Sequence, residues 1–212
     1  MKIGVFDTGR GGQYMLNTLS HALPNHEFLL ASDPEHLPYG SRPASEIITL
    51  AINAIEPLTQ VCDAIVIACN TATVCAIQTL RQAYPHVKFI GVEPIIKPAS
   101  ELTRTKAIAI CATSMTLSSS KYNILKAKFA NGIKVIEPDC GHWAELIEND
   151  RAGKIDLESL VANFAKSDVD VVALACTHYH VLQPRLQMLL PAAQILQPSD
   201  AIVKQVRAIT DC

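Results

Sequence analysis

Residues 63–69 read DAIVIAC, and residues 170–176 read DVVALAC with the same spacing from aspartate to cysteine. Each run is apolar and rich in β-branched residues, which is typical of a strand buried on both faces. A second pair of runs agrees, because KIGVFDT at residues 2–8 resembles AIAICAT at residues 107–113 at almost the same offset. The chain therefore consists of two similar halves, each with a cysteine at the end of a buried strand.

Strand-like and helix-like stretches alternate along both halves, which predicts βαβ units and an α/β fold with mainly parallel sheets. The predicted strands are residues 2–6, 27–31, 64–68, 88–91, 107–111, 134–137, 170–175 and 194–196. The predicted helices are residues 12–22, 43–61, 71–83, 95–103, 118–129, 141–149, 156–166, 179–189 and 199–209. Pro57 is expected to kink or interrupt the second helix.

Composition narrows the class of protein. The 212 residues include 49% hydrophobic and 18% charged residues, which indicates a globular chain. The net charge of −2 gives no positive potential that would attract nucleic acid or an anionic membrane. We find neither the apolar region of a signal peptide nor a run of about 18 apolar residues, so we expect a cytoplasmic protein. In that compartment the seven cysteines are expected to be free thiols.

The two copied cysteines carry the strongest functional signal. Ligands of open α/β sheets bind beyond the carboxyl ends of the strands, where Asp7, Cys69, Thr113 and Cys176 are all expected. Each cysteine taken alone could be a small core residue, but the copied pair favours function. A strand-to-helix junction would set each thiol near a helix N-terminus, which favours the thiolate and directs N–H groups at a carboxylate. Two thiols facing one cleft suit proton transfer between the two faces of a substrate.

The turn DTGRGG at residues 7–12 follows the first strand and opens a helix. It lacks the third glycine of a dinucleotide fingerprint and the Gly-Lys-Ser/Thr ending of a phosphate-binding loop. We interpret it as a tight turn that holds Asp7 and Thr8 at the edge of the sheet, although Asp7 could instead only cap the helix. The loop LPYG at residues 37–40 follows the second strand and is expected at the same edge.

Metal binding is not expected. Cys140 and His142, like Cys176 and His178, form Cys-x-His pairs, which differ from the usual spacing of zinc ligands. His178 is interpreted as a polar residue lining the site, with a structural histidine as the alternative. For Glu148, on a predicted helix, a solvated position is the default interpretation.

At these motifs the chain resembles the glutamate racemases of the cofactor-independent aspartate/glutamate racemase superfamily. The resemblance runs from residue 1 to about residue 200, and CTHY at residues 176–179 favours glutamate over aspartate racemases. The motifs are FDTG at 6–9, PYG at 38–40, ACNTA at 68–72, GVEP at 91–94 and CTHY at 176–179.

The resemblance implies two pseudo-symmetric α/β lobes with the active site between them, no cofactor, a small amino-acid substrate and a homodimer. The lobes would be residues 1–94 and 95–198, with residues 199–212 as a shortened helix that returns to the first lobe. Cys69 and Cys176 would be the acid/base thiols, which Asp7 and the His178/Glu148 pair would tune. The resemblance also implies the substrate ligands. Asp7 and Thr8 would bind the amino group, and Asn70, Thr71 and Thr177 would bind the α-carboxylate. Tyr39 and Gly40 would bind the side-chain carboxylate through backbone N–H groups, and the remaining implied ligands are Thr113, Thr116 and His178.

The chain departs from the family pattern at several positions. Thr8 replaces the usual serine, Arg10 and Gln13 replace apolar residues, and His180 replaces a proline. The chain also ends soon after Thr210, where glutamate racemases normally add a strand and a helix. The implied activity is the interconversion of L- and D-glutamate for peptidoglycan. Alternatives are a racemase of aspartate or another acidic amino acid, and a non-catalytic paralogue that binds acidic amino acids or a protein partner.

Overall fold

The computed structural model describes residues 1–210, which form eight strands and ten α-helices. The strands are β1 (Lys2–Asp7), β2 (Glu27–Ser32), β3 (Ala64–Ile67), β4 (Lys88–Gly91), β5 (Ala107–Cys111), β6 (Lys134–Ile136), β7 (Val171–Leu174) and β8 (Gln194–Leu196). The helices are α1 (Arg10–Ala22), α2 (Ala44–Thr59), α3 (Asn70–Ala83), α4 (Ile96–Leu102), α5 (Ser114–Ser118), α6 (Ser120–Phe129), α7 (Trp143–Glu148), α8 (Leu157–Ala165), α9 (Gln183–Leu189) and α10 (Ser199–Thr210).

The chain divides into two compact units, one of residues 1–93 with the segment from Pro198 onward, and one of residues 94–197. Each unit contains one four-stranded sheet, in the order β2-β1-β3-β4 and β6-β5-β7-β8 respectively. Every strand pairing is parallel. The α/β fold with two parallel sheets flanked by helices is therefore confirmed.

The two sheets use the same backbone hydrogen bonds at corresponding positions. The N–H of Asp63 donates to the carbonyl of Lys2 at 2.9 Å, and the N–H of Asp170 donates to the carbonyl of Ala107 at 3.3 Å. At the other strand end, Ala68 donates to Phe6 at 2.7 Å and Ala175 to Cys111 at 2.8 Å. The copied sequence runs therefore occupy matching places in matching sheets.

Burial explains why the central strands are so apolar. All residues of β3 and β7 are buried, because helices cover both faces of a parallel sheet. In the first unit, α1 and α10 pack on one face, and Val66 shares a core with Leu19 and Val206. In the second unit, Val172 and Leu174 pack with Phe164 and Leu186.

Two helix predictions need correction. The helix predicted over residues 118–129 is α6, which begins at Ser120, and a short helix that was not predicted, α5, precedes it. The hydroxyls of Thr113 and Ser119 each cap a separate N-terminus by accepting hydrogen bonds from Thr116 N at 3.3 Å and Tyr122 N at 3.1 Å. The second helix, α2, is not interrupted at Pro57 but continues to Thr59. Pro57 lies so near the end of α2 that the loss of one N–H donor leaves most of the helix intact.

Within residues 1–210, none of the helices combines the length and the apolar character that crossing a membrane requires.

Candidate active site

Asp7 ends β1 and is fully buried at the carboxyl edge of the first sheet. Its Oδ1 accepts a hydrogen bond from the N–H of Gly9 at 3.0 Å, while Gly9 itself occupies the N-cap position of α1. A Cβ atom on Gly12 would lie 2.9 Å from the Cβ of Asp7, so only glycine lets the first turn of α1 approach this closely. The glycine-rich turn thus packs α1 against Asp7, with Thr8 buried beside it.

Cys69 is the N-cap residue of α3, and its Sγ accepts a hydrogen bond from the N–H of Ala72 at 3.4 Å. The thiol is almost wholly buried, with 7% of the residue exposed. The positive end of a 14-residue helix and a direct N–H donor both stabilise a thiolate. The first unit therefore places Cys69 in a position that favours its anionic form.

Asn70 and Thr71 begin α3 and are both buried. Asn70 Nδ2 donates to the carbonyl of Val92 at 3.3 Å, which fixes the orientation of the side-chain amide. Asn70 Oδ1 is buried and accepts no hydrogen bond from residues 1–210. A buried acceptor without a donor is costly, and such groups often mark places where a ligand binds.

Tyr39 and Gly40 belong to a short 3₁₀ turn, Tyr39–Ser41, which follows a cis peptide bond between Leu37 and Pro38. The turn contacts α3. Tyr39 is buried, and its hydroxyl donates to Asp33 Oδ2 at 2.7 Å. Burial and this hydrogen bond raise the pKa of Tyr39 well above the usual range, and the negative charge of a Cys69 thiolate raises it further. The tyrosine is therefore a permanent hydrogen-bond donor close to the thiol.

Cys176 follows β7 as Cys69 follows β3, but its surroundings differ. The next residues form a 3₁₀ helix, Thr177–Leu182, and α9 begins only at Gln183, so the single helix predicted over residues 179–189 is wrong over its first turn. Cys176 has an extended backbone, and its side chain accepts no capping hydrogen bond. Cys176 therefore lies at the N-terminus of a helix as expected, but this is a 3₁₀ helix and, unlike at Cys69, no capping hydrogen bond reaches the side chain.

At Cys176 the polar group beside the thiol is a histidine side chain. The Sγ atom lies 3.8 Å from His178 Nδ1, and His178 Nε2 lies 2.5 Å from Glu148 Oε1. All three residues are in the second unit, and only 4% of the His178 side chain is exposed. In the neutral tautomer whose Nε2 donates to Glu148, Nδ1 is an acceptor that faces the thiol. This arrangement can receive the thiol proton and leave a thiolate beside an imidazolium.

Three predicted threonines lie in the second unit. Thr113 donates to Thr116 Oγ1 at 3.1 Å and caps α5, and both residues are buried. Thr177 is buried directly after Cys176, and its carbonyl lies 2.7 Å from the Nδ1 of His180. The proline that the family usually carries at position 180 could not make this contact, because its ring has no hydrogen-bond donor.

The predicted site residues fall into two groups. The first unit holds Asp7, Thr8, Tyr39, Gly40, Cys69, Asn70 and Thr71, and the second unit holds Thr113, Thr116, Glu148, Cys176, Thr177 and His178. Within the first unit, Asp7 and Cys69 follow neighbouring strands, β1 and β3. Within the second, the contacts join Glu148, His178 and Cys176 in one chain.

The sequence prediction missed Asp33, although the spacing of Asp33, His36 and Tyr39 is readable. Asp33 Oδ1 lies 2.7 Å from His36 Nδ1, while its other oxygen holds Tyr39. The sequence prediction also missed the contacts of Cys140 in the core of the second unit.

A hydrogen bond with Cys111 and burial raise the pKa of Cys140, so this thiol stays protonated in the core. Tyr179 donates to the Cys140 carbonyl at 2.7 Å.

Among residues 1–210, no group of three or more His, Cys, Asp or Glu side chains is placed to hold a metal ion. A cavity of about 320 Å³ lies in the second unit at the amino ends of the strands, beside Thr105, Asp170 and Ala193. None of the predicted site residues lines it. The predicted site residues thus lie away from this cavity.

Comparison with known proteins identifies the family of this chain. A family model described as Asp/Glu/Hydantoin racemase matches residues 11–206. The glutamate racemase of Sulfurovum sp. (strain NBC37-1) is 35% identical over 222 residues, covering 100% of this chain and 83% of that protein.

Solved structures give the same result. Escherichia coli glutamate racemase, in complex with L-glutamate and the activator UDP-MurNAc-ala, is similar with a TM-score of 0.85 and 28% identity over 97% of this chain and 80% of that one. Francisella tularensis glutamate racemase, in complex with D-glutamate, gives a TM-score of 0.82 and 26% identity over 98% of this chain and 80% of that one. The chain therefore belongs to the Asp/Glu/Hydantoin racemase family and, within it, to the glutamate racemases.

Proposed function

We propose that this protein interconverts L- and D-glutamate without a cofactor, using Cys69 and Cys176 as its two acid/base groups. The observation that carries the proposal is that the two thiols follow equivalent strands and that each has its own polarising partner, the Ala72 N–H for Cys69 and His178 for Cys176. Membership of the glutamate racemases supports the choice of substrate.

In this mechanism one thiolate removes the α-proton from one face of glutamate while the opposite thiol delivers a proton to the other face. Cys69 acts on the D-isomer and Cys176 on the L-isomer, an assignment that rests on the family resemblance. On the Cys176 side, His178 takes the thiol proton and Glu148 stabilises the imidazolium that results. After the transfer the two sulfurs have exchanged protonation states, so the reverse reaction starts from the product form.

The α-proton of an amino acid is weakly acidic, so the binding groups must stabilise the carbanion. The first turn of α3 begins at Asn70 and Thr71, and the N–H groups at the positive end of a helix suit the α-carboxylate, with Thr177 as a further ligand. Asp7 and Thr8 bind the ammonium group. Thr113, Thr116 and His178 complete the proposed set of substrate ligands.

Asn70 contributes a second contact in this proposal. Its Oδ1 is a buried acceptor, and the Nδ2 donor is already engaged with the Val92 carbonyl. The ammonium group of the substrate is the donor that this oxygen needs, because it offers three N–H bonds and a charge. Asn70 would thus contact the carboxylate through its backbone and the ammonium through its side chain.

The cellular role follows from the product. We propose that D-glutamate from this reaction supplies peptidoglycan synthesis in the cytoplasm, and that the enzyme works as a homodimer. Light scattering at micromolar concentration tests the dimer, and a monomeric mass would contradict it.

The activity test is circular dichroism of L-glutamate and of D-glutamate incubated separately with the purified protein. Both signals are expected to decay to zero without added cofactor, and a chelator is expected to leave the rate unchanged. The same assay on L-aspartate should give a much lower kcat/KM. A preference for aspartate would change the proposed substrate from glutamate to aspartate. If the circular dichroism signal of no acidic amino acid decays, the protein would be a non-catalytic paralogue.

A further inference from the structure

The loop between β2 and α2 is held together by one carboxylate. Asp33 directly follows β2, and its side chain is only 13% exposed. One oxygen lies 2.7 Å from His36 Nδ1, and the other accepts the hydroxyl hydrogen bond of Tyr39 at 2.7 Å. Because both oxygens are engaged, Asp33 fixes two positions of the same loop, three and six residues along the chain.

Tyr39 connects Asp33 to the part of the loop that is proposed to contact the substrate. Its ring is buried and lies 6.5 Å from the ring of Phe6, the residue before Asp7. Its hydroxyl stays protonated because burial and Asp33 raise its pKa. The position of the ring is therefore set at one end by the core and at the other by Asp33, and the backbone of Gly40 follows from it.

Arg42 fixes the far end of the loop. Its Nε donates to the carbonyl of His36 at 2.7 Å, its backbone N–H donates to the carbonyl of Tyr39 at 3.0 Å, and its guanidinium forms an ion pair with Glu46. The loop is thus held by charge-assisted hydrogen bonds at both ends, which are stronger than neutral ones.

We propose that Asp33 is a positioning residue that sets the length of the substrate side chain this protein accepts. The inference rests on the proposed function, in which the N–H groups of Tyr39 and Gly40 take the side-chain carboxylate. Backbone groups cannot select a chain length by changing residue type, so the selection depends on where the loop is held. Glutamate is one methylene longer than aspartate, and Asp33 holds the loop at the distance that glutamate needs.

The test uses three single variants that remove some or all of the Asp33 contacts, and the double variant that combines Tyr39→Phe with Asp33→Ala. Tyr39→Phe keeps the buried ring and removes only the hydroxyl, Asp33→Ala removes the carboxylate, and Asp33→Asn keeps one acceptor oxygen. KM and kcat are measured for L-glutamate and L-aspartate. Tyr84→Phe is the matched control, because Tyr84 packs against His86 and Phe89 at the end of α3, away from this loop.

We expect Tyr39→Phe and Asp33→Ala to raise KM for L-glutamate by about 10-fold while kcat changes less than about 3-fold, as expected for a lost hydrogen bond to a charged group. The preference for glutamate over aspartate should fall by about the same factor. The double variant should lose no more than Asp33→Ala alone, because both changes break one bond. Asp33→Asn should lie between wild type and Asp33→Ala, and Tyr84→Phe should match wild type.

Unchanged KM and unchanged preference in Tyr39→Phe and Asp33→Ala, with wild type active on glutamate, would overturn this inference and leave the proposed function standing. Additive losses in the double variant would overturn it as well, since the two residues would then act separately. A wild type that racemises neither amino acid would overturn both. Thermal melts of each variant confirm that it is folded under the assay conditions.

Discussion

The two units place different polar groups beside their equivalent cysteines. In the first, Cys69 caps a long helix and accepts a backbone N–H bond. In the second, Cys176 has no capping bond and instead lies beside His178, which Glu148 holds in place. A helix end is a fixed partial charge and cannot carry a proton, whereas an imidazole can accept one and return it. The copied strands therefore give the thiols equivalent positions but different polar neighbours.

Replacing either cysteine by serine tests whether both sides are needed, and the effect should be the largest. Cys69→Ser and Cys176→Ser should each lower the racemisation rate by at least about 10³-fold, because a hydroxyl is far less acidic than a thiol. Circular dichroism of L-glutamate gives the rate. Full racemisation by either variant would sink the two-thiol assignment.

The same variants can be separated with β-chloro-glutamate, which loses chloride after the α-proton is removed and needs no reprotonation. Cys69→Ser should retain elimination from the L-like isomer, and Cys176→Ser should retain it from the D-like isomer. Chloride release reports both reactions. Equal loss on both isomers in both variants would show that the thiols do not divide the two faces between them.

Replacing His178 should slow proton removal from only one of the two isomers. His178→Asn should slow elimination from L-like β-chloro-glutamate by about 10²-fold, the usual contribution of a positioned acid/base group, because Cys176 loses its proton acceptor. The D-like isomer, which depends on Cys69, should change less than about 3-fold. Glu148→Gln is the matched variant with a smaller loss of about 10-fold, since it keeps a hydrogen-bonding group but removes the charge. An equal fall on both isomers would mean that His178 serves the fold and not Cys176.

A smaller difference concerns the aspartates that begin the copied runs. Asp63 accepts one hydrogen bond, from Lys2 N at 2.9 Å, whereas Asp170 accepts from Thr103 Oγ1 at 2.5 Å and from the N–H groups of Arg104 and Thr105 at 2.7 and 3.1 Å. Asp170→Ala should therefore lower the free energy of unfolding by about 2 kcal/mol and Asp63→Ala by less than about 1 kcal/mol, measured by urea denaturation at pH 7. Equal losses would show that the extra bonds of Asp170 contribute nothing.

The effect of Asp170 should also depend on pH. Burial acts to raise the pKa of Asp170, but the hydrogen bonds from Thr103, Arg104 and Thr105 outweigh it and lower the pKa below the ordinary value. A lowered carboxyl pKa stabilises the fold above about pH 4 and loses that contribution as the pH falls through the folded pKa. The difference between wild type and Asp170→Ala should therefore shrink in acid. A constant difference down to pH 2 would contradict the role of the ionised carboxylate.

The eight strands were predictable from sequence because a buried parallel strand is a short apolar run between turn residues, and Ala64–Ile67 and Val171–Leu174 show this pattern directly. The division of the helices was less accessible. The short helix α5 was not predicted, because whether Thr113 and Ser119 act as caps depends on backbone geometry that hydrophobic periodicity does not report.

The candidate site was predictable where it depends on strand ends and motifs, as for Asp7, Cys69 and Cys176. The sequence also suggested His178 and Glu148 as a pair, but only through resemblance, since the two residues are thirty positions apart and meet through folding. The contrast between Cys69 and Cys176 was not predictable, because a 3₁₀ helix and an α-helix follow two sequence runs of the same pattern. The Asp33 contacts were missed because the regular spacing of Asp33, His36 and Tyr39 does not by itself show that their side chains meet in a loop.

Helix α10 belongs to the first unit although it follows the entire second unit in the chain. Its Ile202 and Val206 complete a core that begins with Ile3 and Val5. During synthesis on the ribosome, residues 94–197 can therefore close their sheet while the first unit still waits for its last helix. Met15 and Leu19 of α1 lack this cover until α10 emerges, so we expect the nascent first unit to expose apolar surface for longer than the second unit does.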